Sequence, residues 1–298
     1  MTTQQNTPFP IISKYYWMYF VISLLFLIPG LVSLALWKLQ PGIDFRGGTI
    51  LEFSSKQPQS LESIRQVLPE KIEIQNLDTL EDSTYSLHMP ALSDADRREV
   101  IATLSASITG YKEKALTSVG PSIGNELLIK TATAVLLASA LIAVFLAFRF
   151  QSLEYGASAI IATLHDVLIL LGVFSLLGHF ANVDVDALFV TALLTIVSFS
   201  VHDTVVVYDR IRERKKKFIR EHLFETIDRA VLETLTRSVR NSLAIVIVLV
   251  ALILLGGVTL RWFAVALLVG TISGTYSSTF VALPLLVLIA KIKEKYHR

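Results

Sequence analysis

The sequence predicts a polytopic α-helical membrane protein with six transmembrane helices and one ferredoxin-like α+β extracytoplasmic domain between helices 1 and 2. Three observations carry this reading. Uncharged apolar runs of about 18 or more residues recur along the chain, long enough to cross a bilayer as helix. Charged residues make up only 17% of the 298 residues and hydrophobic ones 53%, where a soluble domain carries about 25% charged. One stretch, 38–126, interrupts the apolar runs with mixed, turn-punctuated sequence. The mean hydropathy of +0.58 thus reflects long apolar segments and not a uniformly apolar chain.

The runs place spans at 16–37, 127–148, 153–177, 186–208, 241–259 and 262–290, the last with room for an interfacial end. The first is flanked by Tyr15-Tyr16-Trp17 and Leu36-Trp37, aromatics suited to both membrane interfaces. Its core exceeds a signal-peptide apolar region and only Lys14 precedes it, so it reads as an uncleaved anchor. Lys and Arg in the short loops set the orientation. Segment 209–240 holds ten of them: Arg210, Arg212, Arg214, Lys215, Lys216, Lys217, Arg220, Arg229, Arg237 and Arg240. The tail adds Lys291, Lys293, Lys295 and Arg298, whereas loop 178–185 has none. Both termini are therefore expected in the cytoplasm. The expected parts are 1–37 (N-terminus and helix 1), 38–126 (the outside domain) and 127–298 (helices 2–6, the basic loop and a cytoplasmic tail).

In the outside domain, Thr49-Ile-Leu-Glu-Phe53 alternates as a strand does, and 60–68 carries a helical stripe at 61, 64, 67 and 68. Ile72-Glu-Ile74 reads as a second strand, 78–83 as a polar turn and Thr84–His88 as a third strand. Ser93-Asp-Ala-Asp96 has the form of a helix N-cap ahead of 97–108, and 114–119 closes the domain as a strand. The order β-α-β-β-α-β suggests a ferredoxin-like unit, a fold that does not specify function. Gly42-Ile-Asp-Phe-Arg-Gly-Gly48, directly after the first span, reads as a tight turn in which Asp44 and Arg46 cap or pair at the domain base.

A charge within a span costs at least about 2.5–3.5 kcal/mol, so it marks function by default. Span three holds His165-Asp166 near mid-membrane, and span four holds His202-Asp203 near its inner end. Arg237 and Arg240 stand before or in the first turn of span five, where they either snorkel or face the bundle and pair with Asp203. One use of such groups is proton coupling: an arginine moving toward or away from a buried aspartate makes the acid release or take up a proton. The other is a static ion-paired or hydrogen-bonded network between helices. For His165 and His202 a hydrogen bond to a neighbouring helix is the simpler role. Adjacent helix positions point about 100° apart, so the two His-Asp pairs do not assemble a metal site.

Gly270-Thr-Ile-Ser-Gly274-Thr-Tyr-Ser-Ser278 puts small residues at 270, 274 and 278 on one face, suited to close helix packing or, alternatively, to a polar pathway. Basic stretch 209–220 fits an anionic-lipid anchor, a docking surface or the orientation signal alone. Residues 219–236 read as an amphipathic interfacial helix. The chain has no cysteine, so disulfides and thiolate sites are ruled out. Its net charge of +2 is too small to point to nucleic acid. No phosphate loop or nucleophilic triad is present, so no cofactor, metal or enzymatic activity is expected.

Several stretches together resemble the SecF branch of the SecD/SecF family of protein-export membrane subunits, in the resistance-nodulation-division superfamily. They are Gly42–Gly48; Val119-Gly120-Pro121-Ser-Ile-Gly124-Asn-Glu-Leu127; His165-Asp166; Asp203-Thr-Val-Val-Val-Tyr-Asp-Arg-Ile-Arg212; Thr236-Arg-Ser-Val-Arg-Asn-Ser242; and Gly274–Ser278. One motif alone would be weak, but six occur in order across about residues 15–290. The resemblance implies a bacterial inner-membrane or thylakoid protein that works with SecD, the SecYEG channel and, functionally, SecA. It implies use of the proton motive force to promote export of unfolded polypeptides. By motif position it implies proton-linked roles for Asp203 and Arg237, with Arg240 as a second partner. His202 stands where family members often have Asn, and Tyr208 where they have Phe. Leu243-Ala-Ile-Val-Ile-Val lacks the family's threonines, which reduces any polar lining there. A small-molecule exporter half of the same superfamily is the alternative, but it would call for a larger outside domain and duplicated spans.

Overall fold

The computed structural model describes residues 12–69, 71–80, 83–150, 152–219 and 221–296. The stretch before residue 12, the turn residues Glu81 and Asp82, Arg220 of the basic loop and the tail residues His297 and Arg298 lie outside the described residues. The chain runs α1 (Ile12–Trp37), α2 (Ile43–Arg46), β1 (Gly48–Ser54), α3 (Leu61–Val67), β2 (Asn76–Thr79), β3 (Thr84–Met89), α4 (Asp94–Ser107) and β4 (Lys112–Val119). It continues as α5 (Pro121–Phe150), α6 (Leu153–Ala181), α7 (Ala187–Lys217), α8 (Leu223–Leu255), α9 (Gly257–Phe280) and α10 (Ala282–Tyr296). Two compact units result: Pro41–Ala134, and Met1–Gln40 with Val135–Arg298.

In the smaller unit, β1 to β4 form a sheet of order β2-β3-β1-β4 with every neighbouring pair antiparallel. With α3 and α4 as the crossovers, this is the split βαβ arrangement the sequence suggested. The helices bury Ile64, Val100 and Leu104 in one cluster with Leu51, Phe53 and Leu87 of the strands. Each such side chain contributes about 1.5–3 kcal/mol relative to remaining exposed. Ser60 caps α3 by accepting from Ser63 N at 3.1 Å. Ser93 caps α4, accepting from Asp96 N at 3.2 Å and donating to Asp96 Oδ2 at 2.6 Å. Lys71 reaches back to Asp96 at 3.1 Å and Glu99 at 2.5 Å, tying the first helical turn to the chain before β2.

Two local expectations change here. The second strand lies at Asn76–Thr79 and not at 72–74. The β2–β3 register places Leu77 opposite Leu87, and Leu77 is the buried residue of β2. Ile72 is buried without joining the ladder, so its apolar side chain served the core and not a strand. The expected turn at 42–48 contains one helical turn, α2, with Ile43 and Phe45 buried. Gly47 ends it at φ +76°, a conformation that favours glycine. A Cβ on Gly47 would lie 2.8 Å from Pro121 Cα, and one on Gly124 would lie 2.9 Å from both Gly47 N and Phe45 O. The two glycine-bearing motifs, 42–48 and 119–127, thus meet backbone to backbone.

Among the described residues, six helical segments are long and apolar enough to cross a membrane: α1, α5, α6, α7, α8, and α9 with α10 taken together. α1 and α6 touch where Gly30 faces Gly172; a Cβ on Gly172 would sit 2.5 Å from Gly30 Cα. α9 lies against α7 through Gly270 and Gly274, where added Cβ atoms would meet Ile196 Cδ1 at 2.1 Å and Ser200 Cα at 3.4 Å. Small residues permit this approach, as expected for helices packed in lipid.

Three helix limits differ from the sequence reading. α7 runs to Lys217, nine residues past the expected end of span four. From Leu223 onward the amphipathic stretch and span five form one helix, α8, because no Gly or Pro interrupts Leu223–Leu255. Its apolar face, with Ile227, Ala230 and Val231, packs into the bundle core and not onto a membrane surface. Span six breaks at Val281 into α9 and α10, since Pro284 has no N–H to donate to the Phe280 carbonyl.

Gly172→Val is expected to cost about 1–3 kcal/mol by overpacking the α1–α6 crossing. Denaturation of the purified protein in micelles, compared with Gly172→Ala, measures it. The Ser93 hydroxyl and Lys71 hold the Asp96 carboxyl below its usual value of 3.8. Its stabilising contribution is therefore complete above the unfolded value and is lost as pH falls through the depressed folded one. Acid unfolding of the α+β unit should accordingly lose this component below about pH 4, and Asp96→Asn should flatten the stability curve in that window.

Candidate functional site

The bundle centre is built around Asp166 on α6, which is fully buried. Both carboxylate oxygens are taken. Oδ2 accepts from Ser200 Oγ on α7 at 2.6 Å and from Ser277 Oγ on α9 at 2.5 Å. Oδ1 accepts from Ser273 Oγ on α9 at 2.6 Å and lies 3.1 Å from His165 Nδ1. Ser273 and Ser277 stand one turn apart on α9, so a single face delivers both hydroxyls. Three donors spread over two neighbouring helices offset much of the cost of burying a carboxylate.

Asp203 lies three residues beyond Ser200 on the same inward face of α7 and is 4% exposed. Its setting contrasts with that of Asp166. Among the described residues Oδ2 has no hydrogen-bond partner, and neither Arg237 nor Arg240 closes an ion pair with it. Both arginines are on the exposed face of α8. Arg237 is the one of the two that faces α7 across the cleft between the helices. It lines this polar cleft of about 420 Å³ with Val206, Asp209, Glu233 and Thr234. Val206 is one turn from Asp203. His202 points outward, into a groove along α7 with Thr191, Thr195 and Ser198. The 100° step between adjacent helix residues separates it from the Asp203 carboxylate.

The basic end of the bundle is an ion-pair lattice. Arg214 is buried and donates to Glu233 at 2.6 Å and to Glu221 at 2.9 Å. Arg229 pairs with Glu221 at 3.0 Å and Glu225 at 2.7 Å, and Arg210 with Glu233 and Glu213. Arg149 pairs with Asp209 at 2.5 Å, and Arg212 donates to the Arg149 carbonyl at 3.0 Å. Arg210, Arg214 and Arg229 therefore brace the α7–α8 connection, and among the described residues of the stretch Lys215, Lys216 and Lys217 are exposed. Asp228 accepts from Ile12 N at 2.7 Å and from Ser13 Oγ at 2.5 Å, capping α1 from α8. Tyr208 is fully buried, with its hydroxyl 2.6 Å from Ser158 Oγ and donating to Ala282 O at 3.3 Å, so the extra oxygen has partners.

With this geometry in view, comparison with known proteins is decisive. Residues 100–292 match the family described as protein export membrane protein SecD/SecF, C-terminal, and residues 38–59 match the SecD/SecF GG motif. The chain belongs to the SecD/SecF family. It is 38% identical over 293 residues to protein translocase subunit SecF of Thermobaculum terrenum, covering 93% of this chain and 92% of the relative. To the SecF of Synechocystis sp. it is 37% identical over 278 residues, covering 88% of each. The crystal structure of SecDF from Thermus thermophilus, titled a translocon-associated membrane protein, superposes with a TM-score of 0.82 at 33% identity. It covers 94% of this chain, which spans only 38% of that longer one. SecDF in a super-membrane-facing form gives a TM-score of 0.68 at 32% identity, with 96% of this chain and 39% of that one covered. The GG motif contains Gly47 and Gly48, the glycines whose backbone meets Pro121 and Met89 in the SecD/SecF fold of this chain.

The structure leaves Asp203 Oδ2 without a partner among the described residues and gathers the densest polar contacts around Asp166. Ser200, Ser273, Ser277 and Asp228 were not singled out by sequence reasoning. The signal available for the serines was the pair at i, i+4 in an apolar helix; for Asp228 there was none, since its partner lies 215 residues away. Ser277→Ala is expected to destabilise the bundle by about 1–3 kcal/mol, because a buried carboxylate loses a donor. In the Asp166→Asn background the same change should cost measurably less, as a double-mutant cycle of denaturation midpoints would read.

Proposed function

We propose that this protein is an accessory subunit of the Sec protein translocase, working beside SecD and using the proton motive force to promote export of unfolded polypeptides. The relatives' names support the translocase role, and the setting of Asp203 carries the proton coupling. Asp203 is a buried carboxylate with an unpartnered oxygen, and the cation that faces α7 from α8 is held apart from it. Closing such a pair to about 4 Å is worth about 4 kcal/mol at an effective dielectric near 20. Displacing α7 against α8 therefore alters how strongly Asp203 holds a proton, and protonation in turn favours one displacement.

The α+β domain is taken to face the periplasm and to handle the client chain, with both termini cytoplasmic and the basic end of the bundle inside. The working division is 1–37, 38–126 and 127–298. The bacterial inner membrane is the expected location, with the thylakoid as a second for a chain similar to a Synechocystis protein. Thr191, Thr195, Ser198 and His202 on the outward face of α7 suit contact with a partner's spans better than contact with lipid. SecYEG is the channel served and SecA the motor of the earlier, ATP-driven stage. No metal or cofactor enters the mechanism.

The test uses vesicles carrying the complete translocase with an imposed proton gradient. Asp203→Asn should leave the protein inserted and complexed yet abolish the gradient-dependent part of export. Arg237→Ala should do the same, whereas Arg212→Ala, which loses a carbonyl contact and a place over the Phe150 ring, should not. Normal stimulation in Asp203→Asn vesicles removes Asp203 from the mechanism, and equal losses for both arginines point to topology instead.

A further inference from the structure

We propose that Nε2 of His165 is a second proton-binding atom of the bundle, with Asp166 and its serine cradle as the positioning groups. This goes beyond the role assigned to Asp203 and does not depend on it.

The argument starts from the carboxylate. Asp166 accepts hydroxyls from Ser200, Ser273 and Ser277, and since a carboxylate only accepts, its 3.1 Å contact with His165 Nδ1 assigns the tautomer with the hydrogen on that nitrogen. A neutral imidazole held in this tautomer presents a lone pair at Nε2. That atom is buried, and it has no hydrogen-bond partner among the described residues. His165 as a whole is 9% exposed. An unpartnered basic nitrogen one ring away from a buried anion is poised to accept a proton. Uptake adds H⁺ from the aqueous phase to the Nε2 lone pair, and release returns it. No other bond is broken, and the dyad passes from a single buried negative charge to a neutral imidazolium–carboxylate pair.

The surroundings leave Asp166 as the charge in contact with the ring. On α9 the facing titratable group is Tyr276, with ring centroids 6.5 Å apart. Its hydroxyl donates to the Tyr19 carbonyl of α1, and Ser23 Oγ lies 3.3 Å from it. On α7 the inward carboxylate is Asp203, a turn beyond Ser200. On α10 the cations Lys291 and Lys293 are engaged at the basic end, over the Tyr16 ring and with Glu154. The cradle draws its hydroxyls from α7 and α9, so a shift of either helix against α6 removes donors from Asp166 and resets how its negative charge acts on the imidazole. Proton occupancy at His165 and the packing of these three helices are thereby linked.

The experiment uses the full-length protein labelled with ¹⁵N-histidine in liposomes, with His165 assigned by loss of its signals in His165→Gln. Solid-state NMR should show the Nδ1–H tautomer at high pH and conversion to imidazolium as the pH is lowered. Asp166→Asn should move the midpoint by about one pH unit or more. Ser273→Ala and Ser277→Ala should each move it by less, and they carry the test if the aspartate variant does not fold. Asp203→Asn should leave the His165 titration in place, so failure of the proposed coupling at Asp203 and failure of this site are read separately. A His165 that keeps one neutral tautomer throughout, that carries its proton on Nε2 alone, or that titrates identically with and without Asp166 overturns the proposal. So does a spectrum that responds to sodium at fixed pH but not to pH.

Discussion

A carboxylate without access to water must find donors within the protein, and Asp166 finds them on two helices other than its own. The hydroxyls of Ser200, Ser273 and Ser277 reach it only if α7 and α9 approach α6 and each other closely. Gly270 makes room for that approach, since a Cβ there would run into the Ile196 side chain, while at Gly274 the α9 backbone lies at ordinary contact distance from Ser200. The glycine stripe and the serine donors are thus one device: the first brings the backbones together and the second uses the proximity to satisfy a charge. Helices in lipid gain little from apolar contact alone, so small residues and polar cross-links decide which faces meet.

Asp203 shows the opposite choice one turn away. Its environment is equally enclosed, yet an oxygen is left without a donor and the nearby guanidinium of Arg237 is kept at the cleft between α7 and α8. A fully satisfied carboxylate resists change, while an incompletely satisfied one responds to small displacements. The bundle therefore carries one saturated carboxylate on α6 and one incompletely satisfied carboxylate on α7. The ion-pair lattice around Arg214 and Glu221 braces the α7–α8 connection, and the Asp228 cap ties the start of α1 to α8. Relative movement of these helices is accordingly constrained at the basic end.

The smaller unit rests on ordinary soluble-domain physics. Its helices start where Ser60 and Ser93 can cap them, its core is one apolar cluster, and its exposed edge strand β4 carries Lys112, Glu113 and Lys114. Charged edge residues discourage pairing with other chains. The contact between motifs 42–48 and 119–127 fixes where the chain enters and leaves this unit, because Gly47 and Gly124 have no room for a side chain.

The sequence by itself determined the six apolar helices, the inserted α+β unit and the presence of Asp166 and Asp203 as charges within apolar helices. These follow from composition, periodicity and the cost of a charge in hydrocarbon, all local properties of the chain. Strand β2 was misplaced by a few residues because Ile72 looks the same whether it feeds a core from a loop or from a strand. The continuous α8 and the break at Val281 turned on where backbone hydrogen bonds persist, which an apolar run does not report. Only the tertiary structure decided that Asp166 is saturated while Asp203 is not, and that His202 and the two arginines face away from the bundle interior. Those outcomes depend on which helices meet and at what rotation, and that is fixed by residues such as Ser277, which reaches Asp166 across 111 positions of sequence.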